Sequence, residues 1–247
     1  TPVTPVTEVE TPATPVTPVT PVTQVETPAT PKNNISIQSE TNTQSFANTE
    51  LDQPVSSFGR SGNVETSSNG SVAAGIIDLR EIDLNNDGQI DESVDLEFSD
   101  IKSNAAYRNN MGYYKVVNEQ GAVRDPLSNE IINPDEDGYA KAAMMQRVEG
   151  ISVNKNTGSL TSEVEGGLML APYLIANGTA EEFLSNNSGN ATGNGPLAYF
   201  SVGSNIDGKQ HIKQAGNNVL NFEDTYAGGD LDFDDLSLKV NIKTRNV

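Results

Sequence analysis

Proline is concentrated at the start of the chain, and this distribution limits what that part can form. Eight of the 13 prolines precede residue 32, where Thr-Pro-Val triplets recur and the run at 7–15 returns almost unchanged at 23–31. Proline fixes φ, lacks an amide donor and biases the preceding residue toward extended conformations. Residues 1–32 are therefore predicted to form an extended polyproline II stalk that takes no part in a sheet.

The composition changes twice further along the chain. Residues 33–71 are rich in Ser, Thr, Asn, Gln and Gly and show no sustained apolar period, which is typical of a linker. From Val72 onward, short apolar segments alternate with Asn, Asp and Gly turns. The folded domain is expected to occupy residues 72–247.

Within this domain, short segments have the period of β-strands. Val94, Leu96 and Phe98 alternate with polar residues, and the same alternation runs through residues 236–243. Further strands are predicted at 111–117, 167–175, 197–203 and 219–222. An Asp-Gly turn at 205–209 predicts a hairpin that joins 197–203 to the next strand. The pattern predicts an all-β fold, an antiparallel, jelly-roll-like β-sandwich.

Two helix starts interrupt the strand pattern. Asn133 is a suitable N-cap with Pro134 in the first helical position, and an apolar stripe begins at Tyr139. Thr179 and Glu182 have the spacing of a capping box. One or two short helical insertions are therefore expected within the sandwich.

Charge and composition exclude several classes of function. The 247 residues include 34 Asp plus Glu against 15 Lys plus Arg, a formal net charge of -19, with no Cys and one His. Binding to nucleic acid or to an anionic membrane surface needs clustered Lys and Arg, which this chain lacks. No apolar run reaches the length of about 18 residues that membrane insertion requires. The missing Cys excludes thiol catalysis and disulfides, and the single His is expected to have a structural or surface role.

The strongest chemical signal is an acidic run near the C-terminus. Six carboxylates fall between residues 223 and 235, and no Lys or Arg occurs from 214 to 238. Like charges about 4 Å apart repel by about 4 kcal/mol at an effective dielectric near 20, and six to eight oxygen ligands are typical of calcium. A turn at the two adjacent glycines, 228 and 229, would bring the acids together. The predicted calcium ligands here are Glu223, Asp224, Asp230, Asp232 and Asp235. The alternative is a solvated loop with its carboxylates spread apart.

A second acidic segment, DLNNDGQIDES at 83–93, resembles the calcium loop of an EF-hand. Gly88 occupies the position of the sharp turn, and the twelfth position, where a bidentate Glu is usual, is Val94. Glu92, Asp95 or Glu97 could substitute from a shifted geometry. The predicted ligands are Asp83, Asn85, Asp87, the Gln89 carbonyl and Asp91. The alternative is a metal-free Asn/Asp-rich turn between strands.

The C-terminal segment FEDTYAGGDLDFDDLSLKV resembles the F-E-D, G-G-D-x-D-F-x-D signature of domain-of-unknown-function family 4114. Upstream blocks such as AAYRNNMGYYKVVNEQGAV and YFSVGSNIDGKQHI are similar to other parts of that family, so the resemblance spans about residues 72–244. It implies a calcium-stabilised β-domain of secreted bacterial proteins, without an established activity. Here Tyr226-Ala227 and two glycines replace a longer glycine run, and Asp234 stands where Asn is usual. Neither departure removes an oxygen ligand.

Three functions are compatible with these features. The expected one is a non-enzymatic, calcium-binding module, extracellular or at a bacterial surface, that is displayed on the stalk and adheres to a glycan or surface protein. The alternative is a structural subunit that self-assembles into an extracellular fibre or surface layer rigidified by calcium. A hydrolase with Glu223 or Asp224 as acid and Asp232 as base is the third. It is disfavoured because the chain has no Trp and few aromatic residues to line a sugar cleft.

Overall fold

The structure, a computed structural model, describes residues 74–83, 87–90, 92–203, 205–216 and 218–244. These residues form two antiparallel sheets, a two-stranded ribbon and two short α-helices. In chain order the elements are β1 (Ile77–Asp78), β2 (Ser93–Lys102), β3 (Asn110–Val116), β4 (Val123–Arg124), β5 (Ile131–Ile132), α1 (Tyr139–Met145), β6 (Leu160–Glu165), β7 (Met169–Ala176), α2 (Ala180–Asn186), β8 (Leu197–Phe200), β9 (Ile212–Ala215), β10 (Val219–Phe222) and β11 (Leu236–Thr244). The predicted all-β sandwich is confirmed. The predicted stalk, 1–32, and linker, 33–71, lie outside the described residues.

Strand β7 is the centre of the first sheet. β3 pairs along one side of it, while β1 and β8 pair with the beginning and the end of its other side. Pro172, which has no amide donor, lies between those two paired stretches. Its carbonyl accepts a 3.4 Å hydrogen bond from Ser201, so its nitrogen faces the same side, where no strand is paired with it. A proline is thereby accommodated in a central strand.

The second sheet has the order β6-β2-β11-β10-β9 and one solvated face. Val94, Leu96 and Phe98 of β2 are buried, while the residues between them are only partly buried. On the outer face, Lys243 Nζ lies 2.8 Å from Glu97 Oε1. The alternation seen in the sequence therefore marks a sheet with one face in the core and the other in water.

The first sheet is covered on both faces, so the domain has three layers. Leu170 and Leu174 of β7 pack between the two sheets, together with the buried side chains of β2, β10 and β11. Met169 and Tyr173 belong to a second apolar cluster, which includes Met144 of α1 and residues of α2. All eight residues of β7 are consequently buried.

The two helices differ in how well the sequence predicts them. α2 begins after Thr179, whose hydroxyl accepts from Glu182 N at 3.2 Å while Glu182 Oε2 accepts from Thr179 N at 3.0 Å, which confirms the capping box. The prediction that α1 starts at Asn133 and Pro134 is wrong. Asn133 N donates to Glu136 Oε2 in a separate turn, and Gly138, with φ 87°, precedes the helix. Neither α-helix in the described part of the chain is long and apolar enough to cross a membrane.

The predicted hairpin at 205–209 is also wrong, although its turn exists. Gly208 N donates to Asn205 O at 2.8 Å, but β8 pairs with β7 in the first sheet and β9 pairs with β10 in the second. The buried Asn205 side chain accepts from Phe200 N at 2.7 Å and donates to Lys209 O at 2.9 Å. These bonds end β8 and direct the chain across to the other sheet.

Candidate metal centre

The C-terminal acids lie in the connection between β10 and β11, at one end of the second sheet. Glu223 and Asp224 follow β10 directly, a 3-10 turn at Tyr226–Gly228 reverses the chain, and Asp235 precedes β11. Asp224 N donates to Asp235 Oδ2 at 2.8 Å across the base of the loop. The paired strands therefore fix both ends of the acidic segment.

The structure brings the five predicted C-terminal ligands together in two groups of three. In each group, one carboxylate oxygen per residue lies within 4.8 Å of the others. We call Glu223, Asp224 and Asp235 the inner group and Glu223, Asp230 and Asp232 the outer group, because the outer aspartates are exposed. Glu223 belongs to both groups.

Glu223 is the most constrained carboxylate of the site. Its side chain is only 1% exposed, and its Oε2 is buried and has no hydrogen-bond partner. Its Oε1 accepts a 3.4 Å bond from Thr225 N, and a Cβ added to Gly229 would lie 2.5 Å from the same oxygen. Burial, followed by repulsion from Asp235 and Asp230, raises the pKa of Glu223 to about 7. The fold thus leaves a buried carboxylate oxygen that lacks a partner.

Two neutral donors, one from a distant loop and one adjacent in sequence, orient the inner group. Asn109 Nδ2 donates to Asp224 Oδ2 at 2.5 Å, and Thr225 Oγ1 donates to Asp224 Oδ1 at 3.0 Å. The Asn109 amide is oriented in turn, because its Oδ1 accepts from Asn177 N at 3.3 Å. Burial raises the pKa of Asp235, and repulsion from Asp224 adds to this effect, although the hydrogen bond from Asp224 N opposes both.

The outer group lies on a strained backbone. Leu231 and Phe233 have φ values of 61° and 59°, a region that costs an L-residue roughly 1–2 kcal/mol. The Asp234 amide hydrogen bond lowers the pKa of Asp232, but some loss of solvation and repulsion from Asp230 and Asp234 raise it overall. Asp234 itself turns away, since its Oδ2 accepts from Asn104 Nδ2 at 2.5 Å.

No basic side chain in the described ranges forms an ion pair with any of the five carboxylates. The nearby Lys213 instead places its Nζ 3.5 Å from the centroid of the Phe233 ring. A set of converging carboxylates with an unpartnered buried oxygen and no basic partner fits a hard divalent cation, which oxygen donors prefer. The residues present therefore suit calcium.

His211 supports the backbone of this site and does not join either group. It is fully buried, its Nδ1 lies 2.8 Å from Glu223 O and its Nε2 lies 2.9 Å from Asp207 Oδ2. Its ring stacks on Tyr199 with centroids 3.6 Å apart. Asp207 Oδ2 also accepts from Ala227 N at 2.7 Å, which connects this network to the 3-10 turn.

The N-terminal acidic loop forms a third group, made of Asp83, Asp87 and Glu92. Gly88 N donates to Asp83 Oδ2 at 3.0 Å, and Asp83 Oδ1 is buried without a hydrogen bond. Glu92 is 7% exposed, and one of its carboxylate oxygens lies within 4.8 Å of a ligand oxygen of Asp83 and of Asp87. The loop thus gathers acids around a common point.

Other predicted ligands of this loop are less defined. The Gln89 side chain is exposed, and Gln89 N donates to Asp87 Oδ1 at 2.8 Å. Asn85 and Asp91 lie outside the described residues. Of the five predicted ligands, the structure therefore groups Asp83 and Asp87, and it adds Glu92.

The match to known families covers the C-terminal site. Residues 164–243 match the family described as Domain of unknown function (DUF4114). The predicted resemblance to DUF4114 is confirmed over this range, which is shorter than the 72–244 that the motifs suggested. It includes the whole C-terminal acidic loop but not the loop at 83–92. No curated protein and no solved structure matches the chain. The DUF4114 description names no ligand, so calcium binding stays a prediction.

Sequence reasoning missed the neutral side chains of the site. Asn109 and Asn104 lie more than a hundred residues before the aspartates that they contact. Both belong to the loop between β2 and β3, which the sheet order brings beside β11. Their only sequence signal is the position of Asn109 inside a block that resembles DUF4114, and that signal does not name a partner.

Proposed function

We propose that this domain is a non-enzymatic calcium-binding module and that its C-terminal acidic loop is the principal site. One observation carries the proposal. The Glu223 carboxylate is buried among other acids, with one oxygen that has no partner. A buried charge without a partner costs several kcal/mol, so such groups are normally paired or coordinate a metal. An ion held by Glu223, Asp224 and Asp235 would remove that cost.

The donor set favours calcium over magnesium. Every candidate ligand atom is an oxygen, and the carboxylates come from an irregular loop. Calcium accepts six to eight oxygens in flexible geometry at about 2.3–2.6 Å, whereas magnesium demands a nearly ideal octahedron. The role proposed for the ion is to neutralise charge and fix the loop between β10 and β11. The loop at 83–92, with Asp83, Asp87 and Glu92, is proposed as an additional calcium site.

The location and the wider role are proposed from the sequence. A module without Cys that depends on calcium suits the exterior of a cell, where disulfides are the usual alternative. The Thr-Pro segment at 1–32 would act as a stalk that displays the module. A displayed module of this kind would adhere to a glycan or a surface protein. We therefore propose a location outside the cell or at its surface.

A thermal melt of the full chain with and without calcium tests the proposal. A ligand that binds only the folded state at a hundredfold excess over Kd stabilises it by about 2.7 kcal/mol, or on the order of 5–10 °C for a domain of this size. EDTA should lower the Tm by this amount and magnesium should restore little of it. The matched control is Glu223→Gln, which should lose most of the response. An unchanged melt in a preparation verified to contain calcium beforehand would refute calcium binding.

A further inference from the structure

We propose that the C-terminal loop takes two calcium ions and that the carboxylate of Glu223 bridges them. This inference rests on the proposed function and adds the number of ions and their coupling. The inner group would hold one ion and the outer group the other, with Glu223 as the ligand that both ions share.

The distances between the carboxylate oxygens indicate two ion positions. The ligand atoms of one calcium ion lie within about 5 Å of one another, because each is about 2.3–2.6 Å from the ion. The five carboxylates do not meet such a limit as one set, but they meet it as two sets of three. A single ion therefore reaches the inner or the outer set. Only Glu223 is a member of both.

The surroundings of Glu223 suit a bridging role. Its Oε1 lies against the backbone of Thr225 and of Gly229, and Gly229 immediately precedes Asp230 of the outer group. Its Oε2 is buried and has no hydrogen-bond partner. The two oxygens thus have different environments, and Oε2 has no hydrogen bond that would compete with a cation.

The net charge of the loop also supports two ions. No described Lys or Arg forms an ion pair with the five carboxylates, so one divalent ion would leave three negative charges and two ions would leave one. The inner ion should bind first, because Asn109 and Thr225 already orient Asp224. The outer ion should bind more weakly, because Asp230 and Asp232 are exposed.

Calcium titration of the full chain by calorimetry, with native mass spectrometry to count ions, tests this proposal. The background for all variants is the protein with Asp83→Asn and Asp87→Asn, which removes the proposed calcium site of the loop at 83–92. We expect two ions in that background and one after Asp230→Asn with Asp232→Asn. Glu223→Gln should weaken both ions at least tenfold. The control Asp234→Asn changes the same loop outside both groups and should keep two ions.

Each other outcome overturns the inference in an identifiable way. One ion in the background, unaffected by Asp230→Asn with Asp232→Asn, refutes the second site but leaves the proposed function standing. Two ions of which Glu223→Gln removes only one refute the bridge. No ion at this loop refutes both proposals. If circular dichroism shows that Glu223→Gln does not fold, energy transfer between terbium and europium bound to the Asp83→Asn, Asp87→Asn protein replaces it. Two ions that share one carboxylate must show strong transfer, and its absence refutes the bridge.

Discussion

Replacing Glu223 with Gln should change stability in opposite directions with and without calcium. Gln has nearly the same shape as Glu but carries no charge. Without metal, the substitution removes a buried charge that Asp235 and Asp230 repel and that has one oxygen without a hydrogen-bond partner. With metal, it removes the ligand shared by both acidic groups. The metal-free variant should therefore be more stable than the wild type, and the calcium-loaded variant should be less stable.

The raised pKa of Glu223 sets the size and the pH range of the metal-free effect. Its pKa rises from 4.5 in the unfolded chain to about 7 in the folded one. Below pH 4.5 the carboxyl is protonated in both states, and between 4.5 and 7 the folded state keeps a proton that the unfolded state has released. Wild-type stability therefore falls as pH rises through this window. At about 1.4 kcal/mol per pKa unit the loss is at most about 3 kcal/mol.

Differential scanning calorimetry at pH 4.5 and pH 8 in EDTA, and at pH 8 in calcium, measures both effects. At pH 8 in EDTA the variant should melt up to about 6–12 °C above the wild type, since roughly 2–4 °C accompany each kcal/mol at this size. At pH 4.5 the two proteins should melt together. In saturating calcium the order should reverse. The control Asp234→Asn removes a charge from the same loop outside both groups and should show no reversal. A variant less stable than the wild type in EDTA at pH 8 would refute the unpartnered-charge explanation.

Three further substitutions probe the supports of the two acidic sites. Asn109→Ala removes the amide that orients Asp224. A hydrogen bond to a charged group contributes about 1.5–3 kcal/mol, so calorimetry should show calcium binding weakened about 10-fold to 100-fold. The control Asn104→Ala, which loses a bond to Asp234, should leave the affinity nearly unchanged. Gly229→Ala would place a Cβ 2.5 Å from the Glu223 carboxylate at φ 48°, so calcium should raise its Tm much less than that of the wild type. An unaltered response would contradict this geometry. Asp87→Ala should reduce the number of bound ions by one in native mass spectra, and an unchanged number would favour a metal-free turn.

The strands could be predicted where the local pattern and the tertiary structure agree. β2 has alternate residues buried because its sheet has one face in water, and this alternation continues from Ser93 to Phe98. β7 could be recognised as a continuous apolar run, but its burial on two faces depends on the packing of α1 and α2, which the run itself does not indicate. The partner of β8 could not be predicted. The Asp-Gly turn forms, but the Asn205 side chain bonds to both ends of the connection and β8 pairs with β7 instead of β9.

The acidic residues could be identified from the sequence, but their division into two groups could not. Counting residues along an extended segment places Asp230, Asp232 and Asp234 on one face. The positive φ values of Leu231 and Phe233 break that geometry, and Asn104 draws Asp234 away. Both effects depend on contacts with distant parts of the chain, such as the burial of Phe233, which is 5% exposed.

The position of β11 explains why a loop at the end of the chain would matter to the whole domain. β11 is the last strand in sequence, yet it is the central strand of its sheet and pairs with both β2 and β10. Leu236, Leu238 and Val240 are each no more than 1% exposed and fill the space between the sheets. Repulsion among the acids that precede β11 therefore opposes the pairing that completes the core. An ion between the ends of β10 and β11 would favour the arrangement in which both sides of β11 are paired, so calcium would stabilise the sandwich as a whole and not only the loop that binds it.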